Sequence, residues 1–139
     1  MILILSFLLS LLSVLHIYWA IGGLWPGKTK QDLIDKVFGR GETFPSMFAC
    51  LVVAFGLFLA ALTPILWLNK EAFHFNHLMN LFLNVFCYVL AFIFILRGVL
   101  GYLPFITKFW NPVFVSYTKR IYNPLCILIG CGFLVLIFA

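Results

Sequence analysis

Three kinds of side chain in this 139-residue chain could do chemistry in an apolar setting: a histidine, a series of amides and a set of cations. His16 stands in the run His16-Ile17-Tyr18-Trp19-Ala20-Ile21-Gly22-Gly23. An imidazole there could ligate haem, move a proton or bond a neighbouring helix. In a helix starting near Ile2 it falls about 21 Å along a hydrocarbon core of about 30 Å. An unpaired polar group is costly at that depth, so His16 requires a partner, either another helix or a ligand.

Asn76, Asn80, Asn84 and Tyr88 follow one another at intervals of four residues, which draws a polar stripe along one helix face. Lipid cannot satisfy it. Either the amides bond to other helices, or they line a hydrated or ligand-filled cleft opening on the outer side. His74 and His77 could share a metal if one helical turn held both, but two ligands are too few and only Glu71 is near. We therefore expect no metal and no cofactor. Cys50, Cys87, Cys126 and Cys131 all fall in apolar stretches at no metal-like spacing and read as buried thiols.

The cations are Arg97, at the end of an apolar stretch, and Lys108, Lys119 and Arg120 further on. Arg97 can snorkel to a headgroup or hold a lipid phosphate, and the other three are candidate lipid-headgroup contacts. Acidic residues number four, all in predicted loops, and there is no Ser-His-Asp set, paired carboxylate, phosphate loop or haem-attachment motif. An enzyme is the less favoured reading.

These residues must be positioned by helices in a bilayer. The chain is 65% hydrophobic and 9% charged, outside the range of soluble domains. Four stretches are long enough to span: Ile2 to Leu24, Met47 to Leu68, His77 to Leu96 and Ile121 to Ala139. The expected fold is all-α, a single transmembrane domain over residues 1–139. The first stretch lacks a basic flank and a cleavage site, so we read it as a retained helix. Trp25-Pro26-Gly27 is expected to stop it, and Pro64 to kink the second.

The net charge of +5 does not point to nucleic acid, because Lys28, Lys30, Lys36 and Arg40 sit in the first connection and Lys108, Lys119 and Arg120 in the third. The middle connection has only Lys70. The positive-inside rule puts the basic connections in the cytoplasm and the middle one, with both termini, outside. Each basic connection also carries an amphipathic segment expected to lie at the membrane surface. The first starts at Thr29-Lys30-Gln31-Asp32 and runs through Leu33, Ile34, Val37 and Phe38. The second comprises Phe105, Ile106, Phe109, Trp110, Val113, Phe114 and Tyr117. Gly56 with Ala60, and Gly130 with Gly132, allow close helix packing within one chain or between two.

The run His16-x-Tyr18-Trp19-x-x-Gly22-Gly23-x-Trp25, then Arg97-Gly98 and Tyr122-Asn123-Pro124-Leu125-Cys126, resembles a bacterial family of small four-helix membrane proteins catalogued only as a domain of unknown function. The resemblance implies the helix count and draws attention to His16, Tyr18, Trp19, Arg97 and Tyr122; it implies no activity. Thr118 stands where that family often has an aspartate.

The expectation is a non-enzymatic protein of the bacterial inner membrane that binds membrane lipids or a membrane-protein partner, supports the cell envelope and forms a homodimer. Two rivals stay open. One is a small redox or transport protein using His16 and the Asn80, Asn84 and Tyr88 stripe for haem, quinone or a solute; the other is an accessory subunit of a larger complex.

Overall fold

The computed structural model describes residues 1–139. Its helices are α1 (Ile2–Ala20), α2 (Lys30–Val37), α3 (Met47–Leu68), α4 (His77–Leu100), α5 (Pro104–Thr107), α6 (Pro112–Tyr117) and α7 (Asn123–Phe138), with a π turn at Thr118–Tyr122 joining α6 to α7. Four helices, Ile2–Ala20, Met47–Leu68, His77–Leu100 and Pro112–Phe138, are long and apolar enough to cross a membrane. The chain is an all-α, multi-pass membrane protein. Only 28 of 139 residues are buried, so lipid must cover most of the apolar surface.

Helix starts follow their side chains. Thr29, Ser46 and Asn76 each accept a bond from the backbone N–H three residues on, at 3.2, 3.1 and 2.8 Å, and so satisfy donors that have no partner inside the helix. The capped start expected at Thr29 is present. Pro104 and Pro112 occupy first turns, where a missing N–H costs nothing. Pro64 lies inside α3, which continues past it to Leu68.

Three boundaries differ from those read in the sequence. α1 ends at Ala20, short of Leu24 and of Pro26, because Gly22 adopts φ +95° and its N–H bonds to the Trp19 carbonyl while the Gly23 N–H bonds to that of Tyr18. This is a Schellman closure. α4 continues to Leu100, so Arg97 is helical. The second amphipathic segment is divided: α5 is a single turn, whereas Val113, Phe114 and Tyr117 belong to a helix continuous with the last span. The π turn permits that continuity. Pro124 would otherwise press its ring on the carbonyl four residues back, at Arg120, and the wider turn accommodates it.

The helices pack as two intimate pairs, α1 with α3 and α4 with α7. Ser13 Oγ donates to the Ala54 carbonyl at 2.7 Å across the first pair. Glycines set the second. A Cβ added at Gly98 would lie 2.9 Å from the Asn123 carbonyl oxygen, and one at Gly130 would lie 3.0 Å from that of Ala91, so neither helix can approach as closely with a larger residue. Gly132 faces Leu5 of α1, so both α7 glycines pack within the chain. The pairs meet in a core of Leu5, Leu9, Ala60, Ala61, Cys87, Leu90, Ala91, Ile129, Phe133 and Leu136, in the half of the bundle nearest the termini. At the other end Trp19, Leu33 and Cys50 form a smaller core that seats α2.

Candidate functional site

The His16 to Trp25 run folds back on itself. Trp19 is 8% exposed, and its indole Nε1 donates to the Trp25 carbonyl at 2.8 Å. The Trp25 N–H donates to the Tyr18 hydroxyl at 3.3 Å. Gly23 lies against the Tyr18 ring, where any Cβ would collide. The tyrosine, tryptophan and glycines thus build the reversal after α1. His16 donates from Nδ1 to the Leu12 carbonyl of its own helix at 2.8 Å and meets Trp19 edge to face at 5.0 Å. With Nδ1 engaged there, Nε2 is the ring nitrogen left for any second partner. The partner required by its depth comes from its own turn.

At the end of the bundle that carries both basic connections, Arg97 occupies the last turn of α4, half-buried. Its Nη1 donates to Asn123 Oδ1 at 3.4 Å, and its guanidinium lies 5.9 Å from the centre of the Trp110 ring. The one ion pair of the structure is Lys36 with Asp32, so no carboxylate lies within 4.0 Å of Arg97. Arg97 forms the polar edge of a groove of about 320 Å³ whose other walls are Val37, Phe38, Leu100, Ile106, Trp110 and Phe114. A cation set in an apolar wall without a counter-charge suits an anion attached to apolar chains.

The groove is held by contacts reaching across the chain. Tyr122 donates its hydroxyl to the Lys36 carbonyl at 2.9 Å, tying the last span to α2. The Asn111 N–H bonds to the Gly39 carbonyl, and Phe114 packs on Gly39, where φ is +77° and a Cβ would overlap the ring. Asn123 is fully buried against Gly101, where a side chain would displace its amide. Its Nδ2 has no partner, and neither has the buried Thr118 hydroxyl. On α2, the Lys28 N–H and the Lys36 ammonium hold the Asp32 carboxyl below its ordinary range, while Asp32 raises Lys36 in return. Lys108, Lys119 and Arg120 are exposed at this same end, Lys108 over the Phe109 ring at 4.9 Å. Tyr102 donates to the Lys119 carbonyl at 3.2 Å.

The amide stripe does not bond other helices. Asn80 Nδ2 donates to the Phe75 carbonyl at 3.1 Å and Asn84 Nδ2 to the Asn80 carbonyl at 2.9 Å. Both line a cleft of about 420 Å³ at the other end of the bundle, with Trp67, Lys70, Glu71, His74, Phe75 and Leu83. Tyr88 lies outside it, exposed and edge to face with Phe138. Nor does His77 line it, and no three His, Cys, Asp or Glu side chains converge anywhere in the fold. All four cysteines are free, Cys50 and Cys87 buried, Cys126 half-buried and Cys131 exposed on the lipid-facing surface.

The structure therefore brings Arg97 and Tyr122 to one end and Asn80 and Asn84 to the other, sets Tyr18 and Trp19 of the last turn of α1 against Trp25, and bonds His16 within its own helix. Sequence reasoning missed Asn123 and Trp110 as neighbours of Arg97. Asn123 lay within the segment that carried the family resemblance, whereas Trp110 was visible only as one aromatic among many. No curated protein and no solved structure matches the chain. Residues 9–133 match the family described as protein of unknown function (DUF3995), and the chain belongs to that family.

Proposed function

We propose that this protein is a non-enzymatic, lipid-binding protein of the bacterial cytoplasmic membrane, holding the phosphate of an anionic phospholipid at Arg97 on the cytoplasmic side. The observation that carries this reading is Arg97 itself, a half-buried guanidinium on an apolar groove with an amide and an indole for company and no carboxylate. Apolar walls receive acyl chains, and the guanidinium fork matches phosphate oxygens.

The charge distribution supports the same orientation. Eight of the nine cations and three of the four acidic residues belong to the Arg97 end, so that end carries the whole net charge of +5. Such an end faces the cytoplasm, where anionic lipids add to the attraction, and both termini lie outside. Lys108, Lys119 and Arg120 extend the basic surface around the groove. Supporting the envelope, alone or as a homodimer, is the cellular role this chemistry serves best.

Arg97→Gln in nanodiscs containing phosphatidylglycerol tests the site. We expect weaker retention of anionic lipid, by about ten-fold or more, since hydrogen bonds to charged groups contribute roughly 1.5–3 kcal/mol. Charge reversal at Lys108, Lys119 and Arg120 should weaken binding to anionic vesicles and steepen as salt is lowered. Unchanged retention in Arg97→Gln would remove the assignment.

A further inference from the structure

The cleft at the opposite end of the bundle has a different chemistry. Lys70 and Glu71 both line it, and neither is in an ion pair. Lys70 is held with its ammonium 4.6 Å above the Trp67 ring. Deeper in, Asn80 Nδ2 donates to the Phe75 carbonyl just before α4 and Asn84 Nδ2 to the Asn80 carbonyl, which uses one of the two N–H groups of each amide and leaves both Oδ1 atoms as free acceptors. Asn84 is seven residues beyond His77, which sets it about 10 Å down the helix.

The cleft thus offers one cation and one imidazole, from His74, at its rim, together with a carboxylate and two amide oxygens that lack donors, beside the remaining N–H of each amide. A ligand satisfying both sets carries an anionic group and, a few bonds away, a cation with several hydrogens to donate. A quaternary ammonium has the charge and no hydrogens. A primary ammonium has three, matching Glu71, Asn80 and Asn84 in number and kind. The volume of about 420 Å³ is in the range of small-molecule sites.

We infer that this cleft binds a zwitterion with a primary ammonium, its anion on Lys70 and His74 and its ammonium on Glu71 and the Asn80 and Asn84 carbonyl oxygens. The site shares no residue with the Arg97 groove. The same chemistry is presented by free phosphoethanolamine and by the head group of phosphatidylethanolamine, and the test separates them.

The full chain would be placed in phosphatidylglycerol nanodiscs and its thermal unfolding midpoint followed with free phosphoethanolamine or phosphocholine. A second pair of nanodiscs would contain phosphatidylethanolamine or phosphatidylcholine. The ethanolamine form should raise the midpoint in at least one pair, and its choline counterpart should not. Protection in the soluble pair alone assigns the site to a free solute; protection in the lipid pair alone assigns it to a head group. Glu71→Gln, on an exposed turn, and Asn84→Leu should each weaken that binding about ten-fold, while Arg97→Gln leaves it intact. Equal protection by ethanolamine and choline forms, no protection in either pair, or binding indifferent to Glu71→Gln would overturn the inference.

Discussion

Exchanging glycine for alanine at two positions isolates the packing that holds the last two spans together. At Gly130 the new Cβ would sit 3.0 Å from both the Ala91 carbonyl oxygen and the Ile95 N, backbone atoms of the facing helix that no rotamer change can move. At Gly56 it would meet nothing within 4 Å. Both sites lie inside helices, so both substitutions gain the same helix propensity, about 0.8–1 kcal/mol. Overpacking a tight contact costs about 1–3 kcal/mol. Gly56→Ala should therefore be neutral or stabilising by up to about 1 kcal/mol, and Gly130→Ala destabilising by up to about 2 kcal/mol. The difference between the two equals the packing cost alone. Adding Gly98→Ala to Gly130→Ala should cost less than the sum of the singles, because one separation of the helices partly relieves both contacts. Reversible unfolding in detergent, with each variant measured against the parent, gives these values. If Gly130→Ala were as benign as Gly56→Ala, the close α4 to α7 contact would be wrong.

Tyr122→Phe removes the hydroxyl that ties the last span to the Lys36 carbonyl, and should cost about 1 kcal/mol, with faster amide exchange in α2 and little change in α1. The Asp32 and Lys36 pair gives α2 a defined pH window. Asp32 is held below its ordinary 3.8, so its contribution is complete above that value and lost as pH falls through the lowered pKa. Lys36 is held above its ordinary 10.5, so its contribution is complete below that value and lost as pH rises through the raised one. Intrinsic-rate-corrected amide protection of α2 should be flat between these limits and fall at both ends; a change near neutrality would contradict it. His16→Leu should leave lipid retention intact and cost under about 1 kcal/mol, since the imidazole bonds only its own helix. Loss of a bound lipid in that variant would give His16 a ligand role.

The spans were legible in the sequence because a bilayer demands about 20 apolar residues and little else produces them. Their ends were less so. Ile21 and Leu24 prolong the apolar run beyond α1, and only the left-handed Gly22 closes the helix at Ala20. Arg97 reads as an edge, yet α4 carries it one turn further in. Pro112 begins a helix that runs on into the last span, and Pro124 is absorbed within it by the π turn. The spacing of Asn76, Asn80, Asn84 and Tyr88 suggested one stripe, but only Asn80 and Asn84 line the cleft, and their Nδ2 bonds to the preceding turn are something no spacing reveals. Asn123 was harder still. An asparagine before a proline reads as a helix start, and its burial beside Arg97 exists only because Gly101, in another element, leaves the room.

The claim that Arg97 holds an anionic phospholipid is tested most directly by native mass spectrometry of the full chain and of Arg97→Gln, released from identical nanodiscs containing phosphatidylglycerol and phosphatidylcholine. The account predicts one phosphatidylglycerol retained on the parent, and retention reduced about ten-fold or more in the variant while it keeps the parent's helical content. Equal phosphatidylglycerol retention by the two proteins, or no preference for it over phosphatidylcholine, would contradict the account.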